Sequence, residues 1–328
     1  MSAIASGRDG PPGRPGKAAA RPALLASRAP YQWLQIALIT LGAVALFMAV
    51  RRLPTGTNLS HMDFRVTGGN SIEFCDPLNP HFIPVVAVRS PVMMKVDAGP
   101  HVPGVGGAGR AVIQLFTSSG KPLTPDDLLV THTRRLHLLV IDPTLQDYQH
   151  VHPEWDTTIR EWRFTFSPRY AGLYRLFADF TPVATGRGLY ASADLTVARG
   201  ADLLPSPPVP AWTHEADGYL FELHPAGLPM RAGRPVELAF TITRSGGGVV
   251  PMEPVMGAYA HLVAFDEARS GFAHLHPVQT DPAQRPDQVR PTLSFKITIP
   301  KPGRYVIWSQ VKIDGRERFA PFWFEVAP

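Results

Sequence analysis

The sequence predicts a mostly β protein: two tandem antiparallel sandwiches of the immunoglobulin-like type, preceded by one membrane-spanning helix. Gly and Pro supply 28 and 35 of the 328 residues and are scattered along the chain, as expected for short strands joined by turns. About seven short apolar or alternating runs occur twice, each time within roughly 100 residues. One long uncharged segment precedes both copies.

The uncharged segment extends from Trp33 to Val50. As a helix it would be about 27 Å long, close to the thickness of the hydrocarbon layer. Five basic residues precede it and two follow it. This bias predicts a single-pass inner-membrane protein with a cytoplasmic N-terminus and periplasmic C-terminal domains. A cleaved signal peptide is the main alternative, which the length of the segment and the lack of a small-residue cleavage motif disfavour. A buried globular helix is a second alternative, disfavoured because the segment is apolar all round.

The remaining organisation follows from composition. The charges outside residues 1–52 nearly cancel, with 25 basic against 26 acidic residues, so we expect no nucleic-acid surface. The single cysteine, Cys75, cannot form an intrachain disulfide. We divide the chain into a disordered cytoplasmic arm (1–30), a transmembrane helix (31–52), a Pro-rich connector (53–92), a first sandwich (93–198), a Pro-rich linker (199–212) and a second sandwich (213–328).

The connector contains the apolar run FIPVVAV, from Phe82 to Val88. A solvated tether has little use for so many apolar side chains, so we expect this run to pack against another surface. We take Phe82 and Val85 as the residues that dock onto a partner membrane complex.

A histidine pattern is duplicated between the two copies. Its first copy contains His137, Asp142, His150, His152 and Pro153, and each recurs 124 residues later, at His261, Asp266, His274, His276 and Pro277. If each copy forms a hairpin with His137 opposite His152, period-two alternation places all three imidazoles on one face. The same register gathers His261, His274 and His276.

Each set has a fourth donor five residues upstream: His132 in the first copy and Met256 in the second. Three imidazoles with such a donor suit copper or zinc. The alternative is structural: the face also carries apolar side chains, and the histidines would then be partly buried and hydrogen-bonded to loop backbone.

The two-copy pattern H-L-[VL]…H-[VL]-H-P…G-x-Y resembles periplasmic, often membrane-anchored sandwich proteins related to cupredoxin-like and copper-resistance (YtkA-like) domains. The resemblance covers residues 93–328 and implies an extracytoplasmic fold and copper as a candidate ligand. Neither copy has a cysteine beside its histidines, which argues against a blue-copper centre. We find no catalytic motif and expect no enzyme.

Two functional hypotheses follow. The first is a non-catalytic accessory subunit that docks onto a larger membrane assembly, for example a respiratory or photosynthetic electron-transfer complex. The alternative is a periplasmic copper-binding or copper-delivery protein that uses the duplicated histidines.

Overall fold

The computed structural model describes residues 29–52, 59–64, 81–99, 104–197, 205–206 and 208–328. Residues 1–55 and 56–328 form separate compact units. The first unit contains helix α1 (Ala29–Arg52), in which Tyr31–Val50 has a mean hydropathy of 2.2 and is long and apolar enough to cross a membrane. A signal sequence has the same properties. Most of the N-terminal arm, and Cys75, lie outside the described residues.

The first domain of the second unit is a sandwich of two four-stranded antiparallel sheets. Their strand orders are β1-β2-β6-β5 and β4-β3-β7-β8. Short 3-10 helices occupy His61–Phe64 and Pro125–Asp127. The strands are β1 (Val92–Asp97), β2 (Gly109–Thr117), β3 (Leu136–Ile141), β4 (Tyr148–Val151), β5 (Glu154–Asp156), β6 (Glu161–Phe166), β7 (Gly172–Phe180) and β8 (Leu189–Val197).

The second domain repeats this plan. One sheet has the order β15-β11-β10-β9, and the other has the order β12-β16-β13-β14 with β17 also paired to β16. The four antiparallel sheets in two repeated domains confirm the predicted fold class. The strands are β9 (Thr213–Ala216), β10 (Tyr219–Pro225), β11 (Pro235–Arg244), β12 (Met252–Glu253), β13 (Ala260–Asp266), β14 (Phe272–Leu275), β15 (Thr292–Thr298), β16 (Gly303–Ile313) and β17 (Arg316–Val326).

Three hydrophobic cores hold the second unit together. One lies inside each sandwich. The third joins the two domains, because the outer face of the sheet containing β3 packs against the outer face of the sheet containing β13. Phe177 of β7 stacks on Phe265 of β13 in this shared core, with ring centroids 6.1 Å apart. The Trp308 Nε1 donates a hydrogen bond of 3.2 Å to the Leu145 carbonyl of the first domain.

Strands β3 and β13 are therefore buried on both faces. In β3, Leu138 and Val140 point into the core of the first sandwich, whereas Leu139 and Ile141 point into the shared core. All six residues of β3 are buried. This explains why LHLLVI and AHLVAFD read as nearly continuous apolar runs, the pattern of strands with no solvent-facing side.

The connector packs against the protein itself, which corrects the expectation that Phe82 and Val85 meet a partner. Phe82 lies in the core of the second sandwich and Val85 lies in the shared core, exposed by only 5% and 4%. The neighbouring Ile83 N–H donates to the Phe272 carbonyl at 2.8 Å. The described part of the connector thus supplies apolar side chains to all three cores, and the side chains of Phe82 and Val85 are buried within the protein.

Candidate metal centre

The first histidine triad lies on the outer face of the sheet that contains β3. Leu139 of β3 pairs with His150 of β4, so His137 and His152 fall opposite each other at the next same-face position, as the hairpin register predicts. One ring nitrogen from each of these three histidines lies within 4.8 Å of the others.

The second triad has the same geometry in the second domain. Val263 of β13 pairs with His274 of β14, which brings His261 opposite His276. Its three ring nitrogens again lie within 4.8 Å of one another.

The two triads meet at the domain interface as a single cluster of imidazoles. The ring centroids of His150 and His274 are 5.4 Å apart, and those of His137 and His274 are 5.9 Å apart. His132 does not complete its own triad: its ring stacks on His276 of the other domain at 3.8 Å. Met256, the residue equivalent to His132, is buried. The cluster therefore contains seven of the protein's twelve histidines.

The hydrogen bonds of the first triad determine which nitrogens carry protons. The carbonyl of Thr131 only accepts, so the His137 Nε2, at 3.0 Å, is the protonated nitrogen and Nδ1 holds a lone pair. The Gln310 Nε2 donates to Glu317, which turns the Gln310 Oε1 toward the His150 Nδ1 at 2.8 Å. The His150 Nδ1 is therefore protonated, and its Nε2 holds a lone pair.

These two lone pairs face each other, since the His137 Nδ1 and the His150 Nε2 are 3.1 Å apart. Two neutral acceptors at this separation make no hydrogen bond. Two nitrogens bound tetrahedrally at 2.0–2.1 Å from one metal ion would be about 3.3 Å apart. The third member, His152, presents a buried Nε2 with no hydrogen-bond partner among the described residues.

The second triad has the same protonation pattern. The His261 Nε2 donates to the Val255 carbonyl at 2.9 Å, and the His274 Nδ1 donates to the Asp179 Oδ2 at 3.2 Å. The other nitrogens of these rings, His261 Nδ1 and His274 Nε2, therefore hold lone pairs. Both are buried and unpartnered among the described residues, as is the His276 Nε2. Each triad thus contains three ring nitrogens that are unprotonated or have no hydrogen-bond partner among the described residues.

The electrostatic environment keeps the imidazoles neutral. Burial is the main cause that lowers the pKa of every triad histidine. The pKa falls to about 3 for both His152 and His261. Burial raises the pKa of Asp179, an effect opposed by the attraction of His137 and His132. A neutral imidazole is the form that binds a metal ion.

Two polar residues of the site were missed in the sequence reasoning. Asp179 pairs with His137 across β7 and β3, and Gln310 pairs with His261 across β16 and β13. Each side chain reaches over the interface to a histidine of the opposite domain. They are repeat equivalents, 131 residues apart, like the Gly172 and Gly303 that begin the same strands. The sequence did offer a signal for these two residues, because each is a polar residue at the equivalent position of an otherwise apolar strand.

Comparison with known families shows that both repeats of the chain match the same family model. A family model described as Domain of unknown function (DUF8832) matches residues 94–198 and again 214–328, together more than half of the chain. No curated protein matches the sequence.

Among solved structures, a candidate membrane-anchored protein from Corynebacterium diphtheriae covers 73% of this chain at 9% identity and a TM-score of 0.23. Salmonella alpha-2-macroglobulin covers 73% at 15% identity and a TM-score of 0.22. A DUF4785 family protein from Legionella pneumophila covers 71% at 8% identity and a TM-score of 0.23. The chain spans 59%, 15% and 55% of these structures, respectively. Similarity at this level has no bearing on function.

Proposed function

Because the chain belongs to the family described as Domain of unknown function (DUF8832), whose description names no activity, we propose its function from the geometry: it is a membrane-anchored protein that binds copper or zinc ions in two three-histidine sites between its sandwiches. The sites are the first triad (His137, His150, His152) and the second triad (His261, His274, His276).

The contact between the His137 Nδ1 and the His150 Nε2 carries this proposal. If these histidines had only a structural role, one of the two nitrogens would carry a proton and donate a hydrogen bond to the other. Here the outer nitrogens already donate to a backbone carbonyl and to Gln310, so no proton is left for the contact. A buried pair of facing lone pairs is costly unless a cation lies against both. Outer nitrogens that donate to carbonyl, amide or carboxylate oxygens are also the usual support of metal-bound histidines.

The ligand set favours copper or zinc. Imidazole nitrogen suits these late first-row ions, whereas Mg²⁺ and Ca²⁺ prefer oxygen ligands. A set of three histidine ligands is compatible with either metal. The resemblance of the histidine motifs to copper-resistance domains supports copper over zinc.

Helix α1 supports a single-pass anchor. With five basic residues before the helix and two after it, the positive-inside bias favours a cytoplasmic N-terminus in the inner membrane and metal sites in the periplasm. The accessory-subunit hypothesis loses the docking residues on which it relied, because Phe82 and Val85 are buried within the protein. Metal binding is therefore the function we place first.

Metal titration of the full-length protein in detergent tests the proposal. After removal of metal with a chelator, the wild type should bind two Cu(II) or Zn(II) ions per chain at neutral pH. His152→Ala and His276→Ala, which each remove one ligand of one triad, should each reduce tight binding to one ion.

His214→Ala is the matched control, since His214 lies outside both triads, and it should retain two ions. Absence of saturable binding in the wild type would refute the proposal. Equal binding by wild type, His152→Ala and His276→Ala would assign the ions to other groups and refute it as well.

A further inference from the structure

We propose that the two sites, which both bind divalent ions, differ in their relative preference: the second triad favours Cu(II) or Zn(II) over Cu(I) more strongly than the first triad, which favours Cu(I). This inference rests on the proposed function and adds the charge of the ion at each site. Its basis is that duplication kept the six histidines but changed the two residues that support them.

The first difference is the group that accepts a hydrogen bond from the central histidine of each triad, His150 on β4 and His274 on β14. The His274 Nδ1 donates to a carboxylate oxygen of Asp179 at 3.2 Å, whereas the His150 Nδ1 donates to the amide oxygen of Gln310 at 2.8 Å. Asp179 and Gln310 occupy equivalent positions, paired with His137 and His261. A carboxylate partner makes an imidazole a stronger electron donor and adds a negative charge near the ion, whereas an amide adds none. The second triad is thus the better match for the higher charge.

The second difference is the residue at the turn before each triad. His132 and Thr133 both have positive φ, as do the equivalent Met256 and Gly257. The bridges Thr131↔Arg134 and Val255↔Ala258 give the two turns the same two-residue form.

His132 crosses the interface and stacks on His276, so a further imidazole lies beside the second triad. At the equivalent turn of the second domain, Met256 offers a buried thioether instead of an imidazole. The thioether of methionine is a soft ligand that selects Cu(I), whereas imidazole also suits Cu(II) and Zn(II).

Both differences act in the same direction. The second triad has a carboxylate support and a neighbouring imidazole, whereas the first has a neutral support and, at the equivalent turn, a methionine takes the place of the histidine. Asp179, Gln310 and His132 each come from the domain opposite to the triad that they contact. The preference is therefore a property of the assembled interface, and either sandwich alone would lack it.

Single-site variants of the full-length protein in detergent test the inference. His152→Ala leaves only the second site and His276→Ala leaves only the first. Each is titrated with Cu(II) in air, and with Cu(I) under anaerobic conditions with ascorbate and a competing chelator. The ratio of Cu(II) to Cu(I) affinity should be at least about tenfold higher in His152→Ala, which for one electron corresponds to a reduction potential about 59 mV lower.

Substitution of Asp179 and Gln310 tests whether these residues cause the difference in the Cu(II) to Cu(I) ratio. Asp179→Asn in the His152→Ala background should lower the Cu(II) to Cu(I) ratio by about tenfold. In the His276→Ala background, Gln310→Glu is combined with Glu317→Gln so that residues 310 and 317 keep their hydrogen bond. This double substitution should raise the Cu(II) to Cu(I) ratio of the first site. Circular dichroism and thermal melting check that each variant is folded.

The outcomes separate the inference from the proposed function. Binding at both sites with equal Cu(II) to Cu(I) ratios overturns the inference and leaves the metal sites standing. A ratio that changes in neither exchange variant overturns it too. Absence of binding by the wild type and by both single-site proteins overturns the proposed function and the inference together.

Discussion

Mild acid should destabilise the metal-free protein through its buried histidines. His150, His261 and His274 are exposed by 7%, 0% and 5%. Burial lowers the pKa of each, to about 3 for His261, so the folded state keeps them neutral below pH 6.5. The unfolded chain, whose histidines titrate near pH 6.5, takes up protons there. The stability that these three neutral histidines contribute is therefore fully present above about pH 6.5 and is lost as the pH falls below that value.

The magnitude follows from the protons bound by the unfolded state. At pH 5.5 the uptake of a proton by one unfolded histidine stabilises that state by about 1.4 kcal/mol. Three such histidines amount to about 4 kcal/mol, a large part of the 5–15 kcal/mol typical of a folded protein. For two domains of this size the melting temperature should fall by about 10 °C.

Thermal unfolding in chelator at pH 7.5 and pH 5.5 measures this loss. A variant with His150→Gln, His261→Gln and His274→Gln serves as the comparison, because it lacks these three groups and keeps the other titrating residues. The variant should lose about 4 kcal/mol less than the wild type between the two pH values. Equal losses would show that these histidines are not held neutral in the fold, and the reasoning on their lone pairs would fail.

Three further predictions concern the assembly. Gly271→Ala would place a Cβ 1.8 Å from the Ile83 carbonyl oxygen, so it should displace the connector and speed proteolysis near residue 83, whereas Gly227→Ala, which meets no atom within 4 Å, should not. Trp308→Ala should destabilise the protein by about 3–5 kcal/mol and, by moving Gln310 on the same strand, weaken metal binding at the first triad by about tenfold or more. Trp155→Ala, within the first domain, should destabilise without that loss of affinity. A reporter active only outside the cytoplasm should work when fused after Pro328, and activity from a fusion before Met1 would reverse the topology.

Repetition in the sequence allowed much of the site to be predicted. The spacing of His137, His150 and His152 determines which of them share a face, because side chains alternate with period two and the hairpin register follows from the turn between the strands. The second triad follows from the repeat. These are local relations, in which all partners lie within 16 residues of one another. The apolar helix and the β class likewise follow from composition and period.

Only the tertiary structure shows which surface packs against the outer face of each histidine-bearing sheet. The sequence of one hairpin does not show what packs against its histidine face. The Pro-rich segment between the repeats instead suggests two separate domains joined by a linker. Packing of the two outer faces against each other brings Asp179 to His274 and Gln310 to His150, contacts over 95 and 160 residues. It also brings His132 to the opposite triad and buries Val85 of the connector. No periodicity encodes such contacts, because they depend on the relative orientation of two folded sandwiches and on the apolar area that their union removes from water.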